Sequence, residues 1–416
     1  MTVRPIKIGS LAPGLNNRLE ATQLQTVLPD RSRATFLYGA ENVDINDRGR
    51  LKRRAGQTLV AAGNAHSIWG DKLGAYAVLD DDLVQLEENG TGLARTVIRA
   101  GMPRLPVSYS RGGDGEVYWT NGSALRRISA GQDRPAATAP LSVTPSLAVG
   151  AGGFPAGRYI VAFTVVSQDG ESPSTPPVQI EIPENGALVI GPAETEALVY
   201  VSGPNGEIPM LQGAVSGAGL TLYTLSDTGR RCTTMNTVLM PAGTIVRHYN
   251  GAMLVASGQA LYISPAYNYG LLQPAKGYIT FPAPVTLVEP VDSGVFLAAD
   301  KTYWMSDLLT GSDGLREVLP YGAVPGSSQQ LPAQKQGQRQ VCWHSSRGLV
   351  IGSNDGTARA LQDDVLTFSD AASGASLYRE RDGMRHVITS RFGAEPSVAA
   401  AASFMEAEVI RKGTTL

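Results

Sequence analysis

The sequence predicts an all-β protein: a β-propeller of about six blades that carries an inserted small β-sandwich. Three observations lead there. Short apolar runs are separated throughout by Gly, Asp and Asn turns. A strand–turn–strand–turn–strand phrase recurs at a spacing of roughly 40 to 50 residues, the period of propeller blades. One stretch, 153–227, breaks that series with strands of a different rhythm.

Composition supports the class. The 416 residues include 47 glycines, 43% are apolar and only 17% are charged. Many glycines and few charges suit a chain of tight turns around a sizeable core, whereas a disordered chain needs the opposite balance. The formal net charge of -2 gives no whole-molecule field for nucleic acid or membrane. The charge is uneven, however. Met1 to Val60 holds ten Lys/Arg against five acids, hence +5, which leaves -7 for the remainder.

The first element, 1–60, reads as an arm and hairpin that make assembly contacts. Leu11-Ala12-Pro13-Gly14-Leu15-Asn16-Asn17 is irregular and turn-rich. Val43 and Ile45 then alternate with polar residues, Asn46 to Gly49 form a turn, and a basic strand follows, which is a hairpin signature. Such a charged, irregular segment orders best against a partner surface.

The propeller's first part, 61–152, holds two phrases, Ser67 to Leu86 and Val107 to Ile128. The insertion, 153–227, opens with Tyr159, Val161, Phe163 and Val165 in strict alternation. It continues through Val178–Ile182, Ala187–Ile190, Ala197–Ser202 and Leu220–Leu225. Strands eight to twelve residues apart indicate a β-sandwich. The run from Arg158-Tyr159 to Thr164, followed by Asp169-Gly170-Glu171-Ser172, resembles a fibronectin type III or immunoglobulin-like module. The propeller's second part, 228–416, carries phrases at Ile245–Ile263, Val285–Met305, Val341–Leu361 and, more degraded, Leu377–Ser390. In Ser397–Ile410 the alanine run favours helix, whereas Met405, Ala407 and Val409 alternate with glutamates; the alternation favours a strand that closes the ring by pairing with sequence near the start.

No reaction chemistry emerges. His66, His248, His344 and His386 show no metal-ligand spacing and there is no C-x-x-C, so neither a metal nor a cofactor is expected. Cys342 and His344 share a strand face, and the simplest reading is a small core thiol beside a half-buried histidine. Nucleophile elbows, Walker loops and dinucleotide fingerprints are missing. Asp80-Asp81-Asp82 and Asp363-Asp364 read as turn acids, and Ser353-Asn354-Asp355-Gly356-Thr357 as a turn lacking the spacing and Trp of a sialidase Asp box. Two cysteines, Cys232 and Cys342, form no disulfide framework, which suits a reducing cytoplasm. No secretory signal or membrane span is expected from the Met1–Pro5 opening or from any apolar run. The cations Arg48, Arg50, Lys52, Arg53 and Arg54 are the candidate site. They are expected to form a solvated or salt-bridged subunit contact, with phosphate contact as the other reading.

Leu11–Asn17, Ala40–Ile45 with Gly49–Gly56, and the ending Glu406–Gly413 together resemble the tail nozzle, or hub, proteins of short-tailed bacteriophages. The resemblance covers most of the chain, and its motifs report architecture. It implies a structural virion protein rather than an enzyme, made in the host bacterial cytoplasm. Six copies would form a ring below the adaptor and connector proteins, with tail fibres or spikes outside and genomic DNA passing through the lumen. It supplies no catalytic residues. The alternative class is a propeller lectin or glycan-degrading enzyme acting on host surface polysaccharide. A monomeric scaffold is a third.

Overall fold

The computed structural model describes residues 10–46, 48–54, 56, 59, 62–90, 92–308, 314–333, 339–381, 384–393 and 406–410. The chain is all-β, a propeller-type succession of small antiparallel sheets. A 3-10 turn lies at Ala21–Gln23. Two compact units divide it: Gly63–Ile279, and Met1–Ala62 together with Thr280–Leu416.

The unit Gly63–Ile279 holds three four-stranded meanders. Sheet one is Ala65–Asp71, Gly74–Leu79, Asp82–Asn89 and Gly92–Arg99. Sheet two is Ser108–Arg111, Val117–Thr120, Leu125–Ser129 and Gln132–Pro135. Sheet three is Ile245–Tyr249, Ala252–Ser257, Ala260–Ile263 and Tyr278–Thr280. The other unit adds sheet four (Leu287–Val291, Gly294–Ala298, Thr302–Met305, Leu315–Leu319) and sheet five (Gln329–Leu331, Gln340–Ser345, Gly348–Gly352, Ala358–Ala360). Sheet six has three strands, Ser373–Arg381, Met384–Phe392 and Glu406–Ile410. These are the six phrases read from the sequence.

Burial explains why the phrases are visible. The inner strands Val117–Thr120, Gly294–Ala298 and Gly348–Gly352 are buried at every residue. A strand covered on both faces must be apolar without interruption, and these runs anchor each phrase. Neighbouring sheets pack face to face through them. Val78, Leu83, Tyr109, Val117 and Trp119 fill the space between sheets one and two, and Phe296, Trp304, Trp343 and Val350 that between sheets four and five. First strands also bond directly. Ser108 Oγ accepts from Val246 N at 3.1 Å and Ser110 Oγ from His248 N at 2.8 Å. Sheets two and three are thus adjacent although the insertion separates them in sequence.

The insertion packs a three-stranded sheet (Leu147–Phe154, Gly186–Ile190, Leu220–Leu222) on a four-stranded one (Val178–Ile182, Gly157–Thr164, Ala197–Val201, Met210–Val215). Phe154, Tyr159, Phe163, Leu188 and Val199 lie in its core. It therefore begins at Leu147 and not at 153. Leu147–Phe154 carries Gly150, Gly152 and Gly153 and shows mixed exposure, so it lacks the apolar alternation that marks a strand.

The expected closure is also corrected. Glu406–Ile410 is a strand, but it pairs with Met384–Phe392, with Val387 opposite Glu408. It extends its own meander, whose preceding strand is the nearest open edge in sequence. The rest of the expected strand, 397–405, lies outside the described residues. His344 is fully buried rather than half-buried, at 3% exposure, and Cys342 is the core thiol expected, at 0%.

Candidate assembly surface

The arm is held by backbone pairing. Ser10 bridges Ala34 and Leu15 bridges Leu37 in parallel. Leu11 N donates to Gly49 O at 2.8 Å and Leu37 N to Gly14 O at 2.8 Å. The segment 10–16 thereby joins the hairpin Gln25–Val27/Arg33–Thr35 to the hairpin Val43–Ile45/Leu51–Arg53. Asn16 is 2% exposed, and its Oδ1 accepts from Arg18 N at 3.0 Å and Leu19 N at 3.1 Å, which turns the chain outward.

Asn17 then fastens the arm to the loop after sheet five. Its Nδ2 donates to Thr367 O at 3.0 Å, and its Oδ1 accepts from Thr367 N at 2.8 Å. Asn17 N donates to Val365 O at 3.2 Å, and the Arg18 guanidinium donates to Asp363 O. A primary amide offers one donor and one acceptor in the geometry of a peptide group, so Asn17 pairs with Thr367 as a strand residue would.

The basic hairpin turns on Asn46, whose Oδ1 accepts from Arg48 N at 3.1 Å and Arg50 N at 2.9 Å. Gly49 has φ +68°, and a Cβ there would stand 2.0 Å from Ser10 Oγ, so the turn admits only glycine. The five candidate cations do not form one patch. Arg48, Arg50, Lys52 and Arg53 are exposed. Strand alternation sets Arg53 on the face opposite Arg50 and Lys52. Arg54 is half-buried and bonded by Nε to Asp44 Oδ1 at 3.1 Å. The hairpin thus offers cations on both faces, with Arg54 consumed in holding it together.

Beside the Asn17 clasp, Arg18, Ser346, Arg347, Asp363, Asp364, Leu366 and Thr367 line a cleft of about 420 Å³. Arg347 bonds Asp363 at 3.3 Å and lies 4.8 Å from the Tyr321 ring centroid. Burial raises the Tyr321 hydroxyl above its ordinary pKa. Of the two acids read as a turn pair, Asp363 is therefore the partner of Arg347 at the arm's docking site, and Asp364 lines the cleft beside it.

A second junction ties the insertion to sheet two. The Arg127 side chain is 12% exposed and bonds Glu116 Oε2 at 2.6 Å and Asp169 Oδ1 at 2.8 Å. Burial lowers the Arg127 pKa, but the Asp169 hydrogen bond and the Glu116 charge outweigh it and the net direction is upward. Thr138 Oγ1 adds a bond to Gly170 O at 2.7 Å. The Asp169-Gly170-Glu171-Ser172 turn is thus the insertion's foot on the propeller.

The four histidines lie on four different strands. His248 Nε2 meets Tyr269 OH at 3.2 Å, and burial lowers its pKa. His344 stacks edge-on against Phe368 at 4.7 Å, and burial lowers its pKa to about 4. Cys342 joins Leu331, Leu349, Ile351 and Val387 in a core cluster. Among the described residues no group of three or more His, Cys, Asp or Glu could hold a metal. Asp80 and Asp81 form a turn at φ 52° and 67°, and Asp355 Oδ1 accepts from Thr357 N at 3.0 Å in another.

No family model matches the chain, and neither does any curated protein. Solved structures similar to it include BBS1N in complex with ARL6DN, at 10% identity, covering 85% of this chain and 94% of that one with a TM-score of 0.32. A protein of unknown function from Bacteroides caccae aligns at 12% identity over 69% and 93%, with a TM-score of 0.24. Saccharomyces cerevisiae Sqt1 aligns at 10% over 72% and 98%, with a TM-score of 0.19. These likenesses transfer no function. Among the described residues, no helix is long and apolar enough to cross a membrane.

The Asn17 clasp and the Arg127 junction were not legible in the sequence. Asn16-Asn17 stood out only as part of a turn-rich segment, and nothing in it points to Thr367, 350 residues away.

Proposed function

We propose that this protein is a structural subunit of a short-tailed phage tail, a nozzle or hub component that assembles into a ring and conducts the genome. The resemblance of Leu11–Asn17, Ala40–Ile45 and Gly49–Gly56 supports the reading. One structural observation carries it: those same segments build the docked arm and the hairpin that exposes Arg48, Arg50, Lys52 and Arg53. A device of this kind, fixed to its own chain by backbone bonds and charged at its tip, is suited to contact with an adjoining subunit. The role is mechanical: rigid β surface stabilises a conduit, and weak net charge lets DNA pass, since a strongly cationic lining would retain it. Adaptor or connector proteins would meet one end of the ring, and fibres or spikes its exterior.

The test is the native mass of the purified protein by light scattering with negative-stain imaging, alone and mixed with virion connector proteins. A ring of about six subunits with a central hole is the expected result. A monomer that ignores connectors would overturn the reading, and a glycan array would then test the lectin alternative.

A further inference from the structure

The outer strand of sheet one, Gly92–Arg99, differs from its counterparts. It is 8 residues long, whereas the fourth strands of sheets two to five have 4, 3, 5 and 3. It ends the sheet order, paired only with Asp82–Asn89. Residues 93–97 are exposed at every position. Alternation places Leu93, Arg95 and Val97 on one face, with Leu93 43% and Val97 52% exposed. Proteins ordinarily blunt an edge by shortening it, bulging it or lining it with charge. Here the one register shift falls at Ile98, between Arg99 and Val97, and the 93–97 stretch pairs in regular register and carries two apolar side chains around a single cation.

We propose that Gly92–Arg99 is a β-augmentation site that takes an extended peptide from another protein, with an acidic residue opposite Arg95 and apolar residues two positions to either side. Alternate residues along an antiparallel edge turn their N–H and C=O groups away from the sheet, and these supply the ladder for an added strand. Leu93 and Val97 then meet the incoming apolar side chains, and Arg95 meets the acid. A second copy is the poorer occupant: antiparallel pairing centred on Arg95 sets this arginine against itself, and like charges directly opposite are destabilising. The present partner of Arg95 is Asp80 at 3.5 Å, with both side chains about half exposed. That pair is worth little and is readily exchanged.

The experiment uses the full-length protein and two fluorescent nine-residue peptides of alternating valine and threonine, one with a central glutamate and one with a central lysine. Anisotropy should show saturable binding of the glutamate peptide, and hydrogen exchange should show new protection at residues 92–99. Arg95→Glu should weaken that peptide about fivefold, the scale of one cross-strand pair, and should make the lysine peptide the better ligand. Val97→Lys gives a second variant at an exposed position and should weaken both. The proposal is overturned by absence of saturable binding up to millimolar peptide, by binding without protection at 92–99, or by self-association that Val97→Lys abolishes, which would make the occupant a second copy.

Discussion

Asn17 and Thr367 hold each other by a reciprocal pair of hydrogen bonds, side-chain amide to backbone, at 3.0 and 2.8 Å. This clasp connects the arm to the loop after sheet five, with no strand pairing between the chain ends among the described residues. Each such bond contributes about 1 kcal/mol net, less where water can replace it. Asn17→Ala should therefore raise arm opening about tenfold and leave the sheets intact. Limited trypsinolysis at Arg18, Arg31 and Arg33, all exposed, reads the change. Unaltered cleavage rates would mean that the arm is held by its backbone bonds, at Leu11, Leu37 and Asn17 N, and by Arg18.

The Arg127 junction yields a larger effect. Arg127→Ala takes the shared cation from the Glu116 and Asp169 carboxylates, whose side chains are 24% and 12% exposed, and leaves Asp169 only the longer 3.8 Å contact with Arg134. Breaking a buried ion pair by removing one partner costs about 3 kcal/mol or more. The partial exposure of Glu116 lowers the expectation to about 2 kcal/mol, read by denaturant unfolding. Arg127→Ala combined with Asp169→Asn should be less destabilising than the sum of the two single changes, because the unpaired charge is removed. Additive behaviour would show that the foot of the insertion is held by Thr138 instead.

Much of the fold was legible because of where burial falls. The inner strands are covered on both faces and read as continuous apolar runs, such as Gly294-Val295-Phe296-Leu297-Ala298. The fourth strands of sheets two and four were missed for the converse reason: Gln132–Pro135 and Leu315–Leu319 contain no fully buried residue and so show no period. The candidate cations were visible as a run in sequence, but alternation and the Arg54–Asp44 pair dispersed them in space. The arm's anchor was invisible because a side chain imitating a peptide group leaves no pattern in the sequence.

His344 should make stability depend on pH. Burial lowers its pKa to about 4, with the nearby Arg391 charge acting in the same direction, against an ordinary value near 6.5. Between those two values the unfolded chain takes up a proton that the folded chain refuses, so stability falls as pH drops through that window. Above pH 6.5 the group contributes no slope. The full loss approaches about 3 kcal/mol once pH is below 4. His344→Phe, which keeps a ring against Phe368, should flatten this part of the stability–pH curve. An unchanged slope would assign the acid sensitivity to other groups.

The hairpin cations divide into two kinds, and substitutions should separate them. Arg50→Glu with Arg53→Glu alters exposed side chains on opposite faces, so the isolated subunit should keep its stability to within about 0.5 kcal/mol. Arg54→Ala removes the 3.1 Å bond to Asp44 and should loosen the hairpin by up to about 1 kcal/mol with little effect on exposed charge. If the hairpin contacts an adjoining subunit through its tip, the double reversal weakens ring or connector assembly at low salt. The deficit should then shrink as ionic strength rises and exposed charges are screened. Binding to free DNA gives the contrasting measurement. Because the cations are split between two faces, few phosphates can be engaged at once, so affinity at physiological salt should be weak and its salt slope shallow. Tight, steeply salt-dependent DNA binding, lost in the double reversal, would instead make the hairpin a nucleic-acid contact and count against a freely conducting channel.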